Sequence, residues 1–404
     1  MAHKHSSMTW LMLTTLYISQ YIGISFVLTA LVVVLRASGF ALDKLALLNL
    51  IAFPIAGKLL FALAVDHILT FFQGRYRGWL IIAQGSMAVL LVVISFVDIT
   101  QHFYTVVGLF FLYSIMTCIQ DVAIDGLACK IFEPSERQKA NAVQYAGNLC
   151  GNVIGGGVIL LFYDIIQWQG ALLVLATLTT ISFVQLVFYV EPETEKTQVG
   201  DSGTQYRFFR QVTAFMRANK FWFLLLFILP SGFASAYALI NPMLVDAGWS
   251  IADIGMVTKI YGSIIGVLSA LSIIPLIKQF GRIKTLHYLV AFQTLPLLGL
   301  LILTKQQLET SMVYGVIGLY SLIQPALLAS ISTLIMDKAA PMQAKATFFS
   351  LQLSVIVVMG FIYAALAMYF ASQYGYFFVL LSSILLNLIV VVLTLNIVDK
   401  ARCA

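Results

Sequence analysis

Charged residues are scarce in this chain. Asp, Glu, Lys and Arg together make up 10% of its 404 residues, against roughly a quarter in soluble globular domains. A chain of this length with so little charge is not expected to be a soluble enzyme or a nucleic-acid-binding protein. Its hydrophobic fraction of 61% predicts instead a protein whose surface faces the lipid bilayer.

Motifs for cofactors and catalysis are also missing. The four cysteines, Cys118, Cys129, Cys150 and Cys403, show neither paired nor metal-type spacing, so neither a disulfide framework nor a thiolate metal site is expected. The five histidines form no His-Glu-x-x-His motif. The chain also contains no Gly-x-x-x-x-Gly-Lys-Ser/Thr stretch for ATP. We therefore expect no cofactor and no bound metal.

Apolar runs of about twenty residues, each long enough to cross the hydrocarbon core as a helix, recur along almost the whole chain. We predict an all-α membrane protein with twelve transmembrane helices, near residues 9–35, 44–65, 79–97, 103–127, 141–163, 169–190, 220–240, 250–277, 285–304, 310–335, 347–370 and 375–397. These spans leave no room for a sizeable soluble domain.

The distribution of basic residues predicts the orientation. Cytoplasmic loops carry an excess of Lys and Arg. If the N-terminus is cytoplasmic, only Arg36, Lys44 and Lys305 fall on the outer side, Lys58 and Lys259 lie within spans, and the rest of the 23 basic residues are cytoplasmic. Both termini are therefore predicted to face the cytoplasm.

A polar stretch divides the predicted helices into six and six. Residues 191–219 separate an N-terminal half, 1–190, from a C-terminal half, 220–404. The loop "GRYRGWL" in the first half has a counterpart, "GRIKTLH", in the second, and "EPSERQKANAVQ" corresponds to "DKAAPMQAKATFFSLQ". Duplicated six-helix halves are typical of secondary transporters.

Two stretches resemble a known family. "GKLLFALAVDHILTFFQGRYRG" keeps Asp66, Gly74, Arg75 and Arg77 of the loop after helix two in the major facilitator superfamily. "QDVAIDG", followed by "ERQKANAVQYAGNLCGNVIGGG", resembles the branch of muropeptide permeases, acetyl-CoA transporters and rhizobactin- or pyochelin-type siderophore permeases. The resemblance implies a bacterial inner-membrane importer that works by alternating access, with Asp66, Arg75 and Arg77 at a cytoplasmic gate.

Ionisable residues inside predicted spans are candidates for function, because each costs about 3 kcal/mol to place at the bilayer centre. Asp121 and Asp125 lie one turn apart on one helix face, and Lys58 is expected at the depth of Asp121. We predict a Lys58–Asp121 ion pair, with Asp125 nearer the turn that carries Arg75 and Arg77. These three residues either couple transport to protons or gate it, with Asp121 the better candidate for coupling and Asp125 for a gate or loop anchor, or they form a structural pair.

Polar and aromatic residues within the spans are candidates for substrate binding. They are Tyr17, Gln20, Tyr21, Gln144, Asn148, Asn152, Tyr237, Asn241, Lys259, Gln324 and Gln352. Amides on one face of a helix, as in the fifth span, either line a polar cavity or bond neighbouring helices. Lys259 could bind an anionic substrate, reach the interface or pair with Asp253. The glycines from Gly147 to Gly157 favour close helix packing.

The sequence therefore predicts a proton-coupled transporter of a bulky polar solute. Chain length within the resembled branch favours a siderophore or its iron complex, with a muropeptide or another anionic metabolite as the alternative. An intramembrane enzyme is a further alternative, although the two aspartates on one helix do not face each other across a substrate. The expected partners are the solute, protons and the lipid bilayer, with no nucleic acid, and the protein is expected to be a monomer.

Overall fold

The fold is all-helical in the part of the chain that the structure describes. The structure is a computed structural model, and it describes residues 7–58, 61, 65, 74–132, 137–192, 212–304, 309–339, 341 and 345–402. No strand occurs among these residues. The predicted fold class is confirmed in this respect.

The first half contains helices that we label α1 to α6. Helix α1 comprises Ser7–Ser25, a π-helical segment Phe26–Leu31 and Val32–Ala37; α2 includes Leu42–Ile51 and Phe53–Ala56; α3 is Arg75–Ser95; and α4 is Phe103–Ile131. Helix α5 begins with Arg137–Asn152 and continues through a π-helical segment, Val153–Val158. The following helix, Ile159–Phe188, turns at Gln167, where α5 ends and α6 begins.

The second half contains helices α7 to α12. Helix α7 comprises Lys220–Ile228 and Pro230–Asp246; α8 comprises Ile251–Gly255, a π-helical segment Met256–Tyr261 and Gly262–Phe280; α9 comprises Arg282–Phe292 and Thr294–Ile302; and α10 is Thr310–Ala339. The helix Lys345–Arg402 turns at Gly375, which separates α11 from α12.

Eight helices in the described part of the chain are long and apolar enough to cross a membrane. Two of them, Val143–Phe188 and Phe348–Leu395, contain the turns at Gln167 and Gly375. The chain is therefore a multi-pass membrane protein. The number of twelve crossings and the cytoplasmic position of both termini stay predictions.

The turns of the two halves correspond to each other. Six described residues have a positive φ, and they form three pairs at equivalent connections: Gly39 with Gly248, Gly74 with Gly281, and Gln167 with Gly375. The members of each pair are separated by nearly the same number of residues. Gly74 and Gly281 begin the two loop sequences whose likeness suggested a duplication, so that likeness extends to backbone conformation.

The described residues form two compact units. One contains those of Met1–Glu193 together with Leu244–Ser263, and the other those of Thr194–Met243 and Ile264–Ala404. In the first unit α1 packs along α5, and α3 packs on α4 and α6. In the second unit α9 packs on α10 and on the helix Lys345–Arg402. The boundaries predicted for the halves and the linker stay predictions.

Glycines allow α5 to approach α1 very closely. Gly147, Gly151 and Gly155 recur every fourth residue, which places them on one face of the helix. A Cβ atom at Gly151 would lie 2.6 Å from the carbonyl oxygen of Ile18, and one at Gly155 would overlap the carbonyl oxygen of Ile22. In lipid, helices associate through such van der Waals contact between small residues. The packing interpretation of these glycines is confirmed.

Candidate functional site

A lysine and two aspartates form a cluster inside the first unit. The ammonium group of Lys58 on α2 forms an ion pair with Asp121 on α4, as predicted from their depths. The same nitrogen lies 3.2 Å from Oδ2 of Asp125, one turn further along α4. We call these three residues the carboxylate–lysine cluster. One cation thus faces two carboxylates, so the cluster carries a net negative charge when both acids are ionised.

The two carboxylates differ in how far they are buried. The side chain of Asp121 is 9% exposed, whereas those of Asp125 and Lys58 are each 39% exposed. Asp121 Oδ1 also accepts a hydrogen bond of 2.6 Å from Nε2 of Gln20 on α1. Asp121 is therefore the buried partner, which bonds to a cation and an amide, and Asp125 is the more exposed partner.

Asp125 is bound to α1 and α5. Its Oδ1 accepts hydrogen bonds from the hydroxyl of Tyr17 at 3.3 Å and from Nε2 of Gln144 at 3.1 Å. The expectation that Asp125 lies nearer than Asp121 to the turn of Arg75 and Arg77 stays a prediction. Asp125 lies on the same face of α4 as Asp121, so its described partners come from α1, α2 and α5.

Three polar residues that the sequence analysis did not select support this cluster. Gln84 on α3 and Gln120 on α4 both donate hydrogen bonds to the hydroxyl of Ser19 on α1, at 2.6 and 3.3 Å. Gln120 also donates to the carbonyl oxygen of Leu16 at 2.8 Å. These bonds hold α1, α3 and α4 in register, which positions Gln20 against Asp121. The sequence did contain a signal for these three residues, since each is an uncharged polar residue within an apolar span.

The amides of α5 have different surroundings. Gln144 contacts the cluster, as described above. Asn152 donates to the carbonyl oxygen of Asn148 at 3.1 Å, and the carbonyl oxygen of Asn152 accepts from Ser25 at 2.9 Å. Tyr21 packs against Gly151 where α1 meets α5. The structure thus places Gln144 in the cluster and Asn152 and Tyr21 along the interface of α1 and α5. Asn148 is half-buried, and its described contact is the bond that its backbone carbonyl accepts within α5.

Candidates from the second half lie in separate places. The amide of Gln352 is fully buried, accepts from the indole of Trp222 at 2.6 Å and donates to the carbonyl oxygen of Phe348 at 2.8 Å. This arrangement favours helix packing over substrate binding. Asn241 is 4% exposed, whereas Tyr237 and Gln324 are half-buried.

Lys259 lies in the π-helical segment of α8 and packs within the first unit. It is 7% exposed, and its stem lies against Gly156 and Gly157 of α5. Asp253, one of its proposed partners, accepts a hydrogen bond from the hydroxyl of Ser250 at 2.6 Å. Lys259 is therefore a buried residue whose stem contacts the glycines of α5.

At the predicted cytoplasmic gate, Arg77 bonds to the end of α6. Its guanidinium donates to the carbonyl oxygens of Leu186 and Val187 at 3.0 and 2.8 Å, and its backbone N–H donates to Glu191 at 2.7 Å. Lys130 at the end of α4 forms an ion pair of 2.6 Å with Glu191, whose side chain is completely buried. The sequence analysis assigned Glu191 to the linker and missed this role. Asp66 lies outside the described residues, as does the side chain of Arg75.

The profile of the family described as "Major Facilitator Superfamily" matches residues 6–362. The chain belongs to the major facilitator superfamily. The predicted resemblance is therefore confirmed, and it makes this protein a membrane transporter by family, a class that is generally not enzymatic.

Relatives among known proteins share about a quarter of the matched residues. An uncharacterized protein of Haemophilus influenzae is 26% identical over 225 residues, which cover 54% of this chain and 53% of the relative. The anhydromuropeptide permease of Escherichia coli K12 is 24% identical over 234 residues, covering 57% of this chain and 47% of the permease. The chain thus spans about half the length of these relatives.

Solved structures of transporters share the fold. A POT family transporter in complex with a thioalcohol-conjugated peptide superposes with a TM-score of 0.73, at 13% identity, over 98% of this chain and 96% of the other. At that identity the likeness establishes the fold alone.

Proposed function

We propose that this protein is a proton-coupled secondary transporter that imports a bulky polar solute across a bacterial inner membrane by alternating access. The observation that carries the proposal is the carboxylate–lysine cluster. Charged groups within the membrane are costly, and those that occur there usually pair with one another or mark a transport pathway. This cluster has one acid more than its single base can neutralise. A proton is the simplest ion to supply the missing positive charge.

The exposures of the two acids support a division of roles. Asp121 is buried against Lys58 and Gln20, so it remains the permanent partner of the lysine. Asp125 is four times as exposed and takes the proton. Protonation of Asp125 removes one of the two attractions on Lys58, which changes the contacts between α2, α4 and α5. The sequence favoured Asp121 as the proton carrier, and the structure favours Asp125.

For the cargo, we propose an anhydro-sugar peptide of the muropeptide class. The support is the similarity to the anhydromuropeptide permease of Escherichia coli over 57% of this chain. The relatives described above give no support to the siderophore that chain length favoured. A peptide with carboxylates and a sugar also suits amides and tyrosines, which bond polar solutes in otherwise apolar sites.

The test is uptake by the purified protein in liposomes with an inward proton gradient. We expect accumulation of a labelled anhydromuropeptide that collapses when a protonophore is added, and no accumulation of a ferric siderophore. Asp125→Asn should abolish gradient-driven accumulation while retaining exchange of labelled for unlabelled solute. Asp164→Asn, a change at an exposed acid near the end of α5, is the matched control. Accumulation by Asp125→Asn equal to that of wild type would falsify the coupling role.

A further inference from the structure

The second unit contains a cavity between α7, α11 and α12. Its volume is about 370 Å³, which lies within the range of about 300–1,000 Å³ that is typical of small-molecule sites. None of the described residues that line it is charged. The cavity is distinct from the carboxylate–lysine cluster, whose residues belong to the first unit.

The mouth of the cavity is aromatic and opens on the surface of the helices. Phe370 and Tyr374, before the turn at Gly375, and Phe378, after it, are 42%, 64% and 61% exposed. The ring centroids of Phe370 and Tyr374 lie 6.3 Å apart. All of these residues belong to Phe348–Leu395, which is long and apolar enough to cross a membrane, so its exposed rings face lipid and the membrane interface. A ligand would therefore enter this cavity from the bilayer.

The inner part of the cavity carries two hydroxyl groups. Ser235 of α7 is 5% exposed, and Tyr363 of α11 is half-buried. Neither hydroxyl forms a hydrogen bond with the residues that the structure describes. By contrast, Ser383 on the α12 wall donates to the carbonyl oxygen of Val379 at 2.9 Å, as serine often does within a helix. The hydroxyl of Ser235 does not bond in this way and is available to a ligand.

The two hydroxyl residues lie next to a contact between α7 and α11. A Cβ atom at Gly360 would lie 4.0 Å from Cβ of Ala234. Ser235 follows Ala234 in the chain, and Tyr363 lies three residues after Gly360. From Tyr363 the cavity extends along α11 to Tyr374, eleven residues further, or about 16 Å along the helix axis. This length suits a chain that lies along the helices with a polar group at its inner end.

The walls and the two hydroxyls together define the class of ligand. A charged group would find no opposite charge among the described lining residues, and burial of an unpaired charge is costly. A plain hydrocarbon chain would fill the volume but leave both hydroxyls without a partner, which costs free energy in an apolar site. A hydroxyl or carbonyl group on an apolar chain satisfies both requirements.

We propose that this cavity binds a neutral amphiphile from the bilayer, an apolar chain that carries a hydroxyl or carbonyl group, and that Ser235 and Tyr363 form hydrogen bonds with this group. The ligand contacts α7, α11 and α12 at once. Because it binds the folded protein, it stabilises the packing of these three helices.

The test is photolabelling by a fatty alcohol. The purified protein is placed in liposomes of phosphatidylethanolamine and phosphatidylglycerol with a trace of hexadecanol that carries a diazirine on its chain. The control probe is the same chain without the hydroxyl. After irradiation, mass spectrometry identifies the labelled peptides. We expect the alcohol to label the peptides around Phe370 and Phe378 about fivefold more strongly than the alkane does, because only the alcohol can bond to the two hydroxyls.

Conservative substitutions remove the proposed hydrogen bonds. Ser235→Ala together with Tyr363→Phe should lower labelling by the alcohol to the level of the alkane and leave labelling by the alkane unchanged. Tyr369→Phe together with Ser372→Ala is the matched control, since both residues lie on α11 but do not line the cavity. Ala367→Phe fills the cavity at a lining residue that is 3% exposed, and it should abolish labelling of the cavity by both probes.

Equal labelling of the wild type by alcohol and alkane would overturn the proposed hydrogen bonds and identify the cavity as a groove for ordinary lipid chains. Labelling by the alcohol that persists after Ser235→Ala and Tyr363→Phe would overturn them as well. These two changes only delete hydroxyl groups, so the result stands even where Ala367→Phe fails to fold. The readout needs neither a solute nor a proton gradient and is independent of the proposed transport.

Discussion

Lys58 Nζ lies 3.2 Å from Oδ2 of Asp125 while it forms an ion pair with the neighbouring acid on the same face of α4. One ammonium therefore serves two carboxylates whose exposures differ fourfold. Loss of the cation should therefore cost more for the buried acid than for the exposed one. The energetic consequences can be measured separately from transport.

Removal of the cation should destabilise the protein. Lys58→Met leaves the buried Asp121 without its cation, a change that costs about 3 kcal/mol when a pair is buried and less here because Lys58 is partly exposed. The measurement is thermal unfolding of the purified protein in detergent. Adding Asp121→Leu to Lys58→Met should recover most of the loss, because no uncompensated buried charge remains. A double variant no more stable than Lys58→Met alone would contradict the pairing.

The hydrogen bond from Gln20 should stabilise Asp121. Gln20→Leu removes a donor at 2.6 Å from a carboxylate that is 9% exposed, and we expect a loss of about 2 kcal/mol because the acceptor stays buried. Unfolding measurements on Gln20→Leu with and without Asp121→Asn give the coupling between the two residues. Independent effects of the two changes would show that the bond contributes nothing.

The helix contact at Gly155 should not tolerate a side chain. Gly155→Ala places a methyl group against the carbonyl oxygen of Ile22, so α1 and α5 must separate, and we expect reduced yield and a lower unfolding temperature. Gly315→Ala on α10 is the matched control, since nothing lies within 4 Å of its added Cβ. Alanine there should be neutral or stabilise the helix by up to about 1 kcal/mol. Equal stability of both variants would contradict the close contact.

Loss of the buried carboxylate of Glu191, at the end of α6, should destabilise the protein. Glu191→Gln retains an acceptor for the N–H of Arg77 but leaves Lys130 without its anion. We expect a loss of about 3 kcal/mol, as for other buried pairs deprived of one partner. Glu309→Gln changes an exposed acid. Its unfolding temperature should equal that of the wild type within the scatter between preparations.

Helix content and the depth of charged residues could be predicted from the sequence. Counting residues along two helices was enough to pair Lys58 with Asp121, since rise per residue is constant. The rotation of each helix about its axis could not be obtained in this way. The hydrogen bonds of Asp125 with Tyr17 and Gln144 were therefore not predicted, although its depth relative to Asp121 followed directly from the spacing.

The partners of Arg77 and the π-helical segments were also beyond sequence reasoning. Glu191 stands in a polar stretch whose composition resembles a linker, and only the packed ends of α3, α4 and α6 show that its carboxylate is buried. The π-helical segment of α5 contacts those of α1 and α8. Residue spacing in the sequence carries no signal for such contacts.

The two halves share the backbone conformation of their turns, but they differ in the charged residues that their helices carry. At the separation that relates Gln167 to Gly375, the three members of the carboxylate–lysine cluster correspond to Gly266, Ala329 and Thr333. The second half therefore carries no charged residue at the positions equivalent to the cluster. Under the proposed proton coupling, uptake of a proton changes the charge of one half of the chain and leaves the equivalent positions of the other half uncharged.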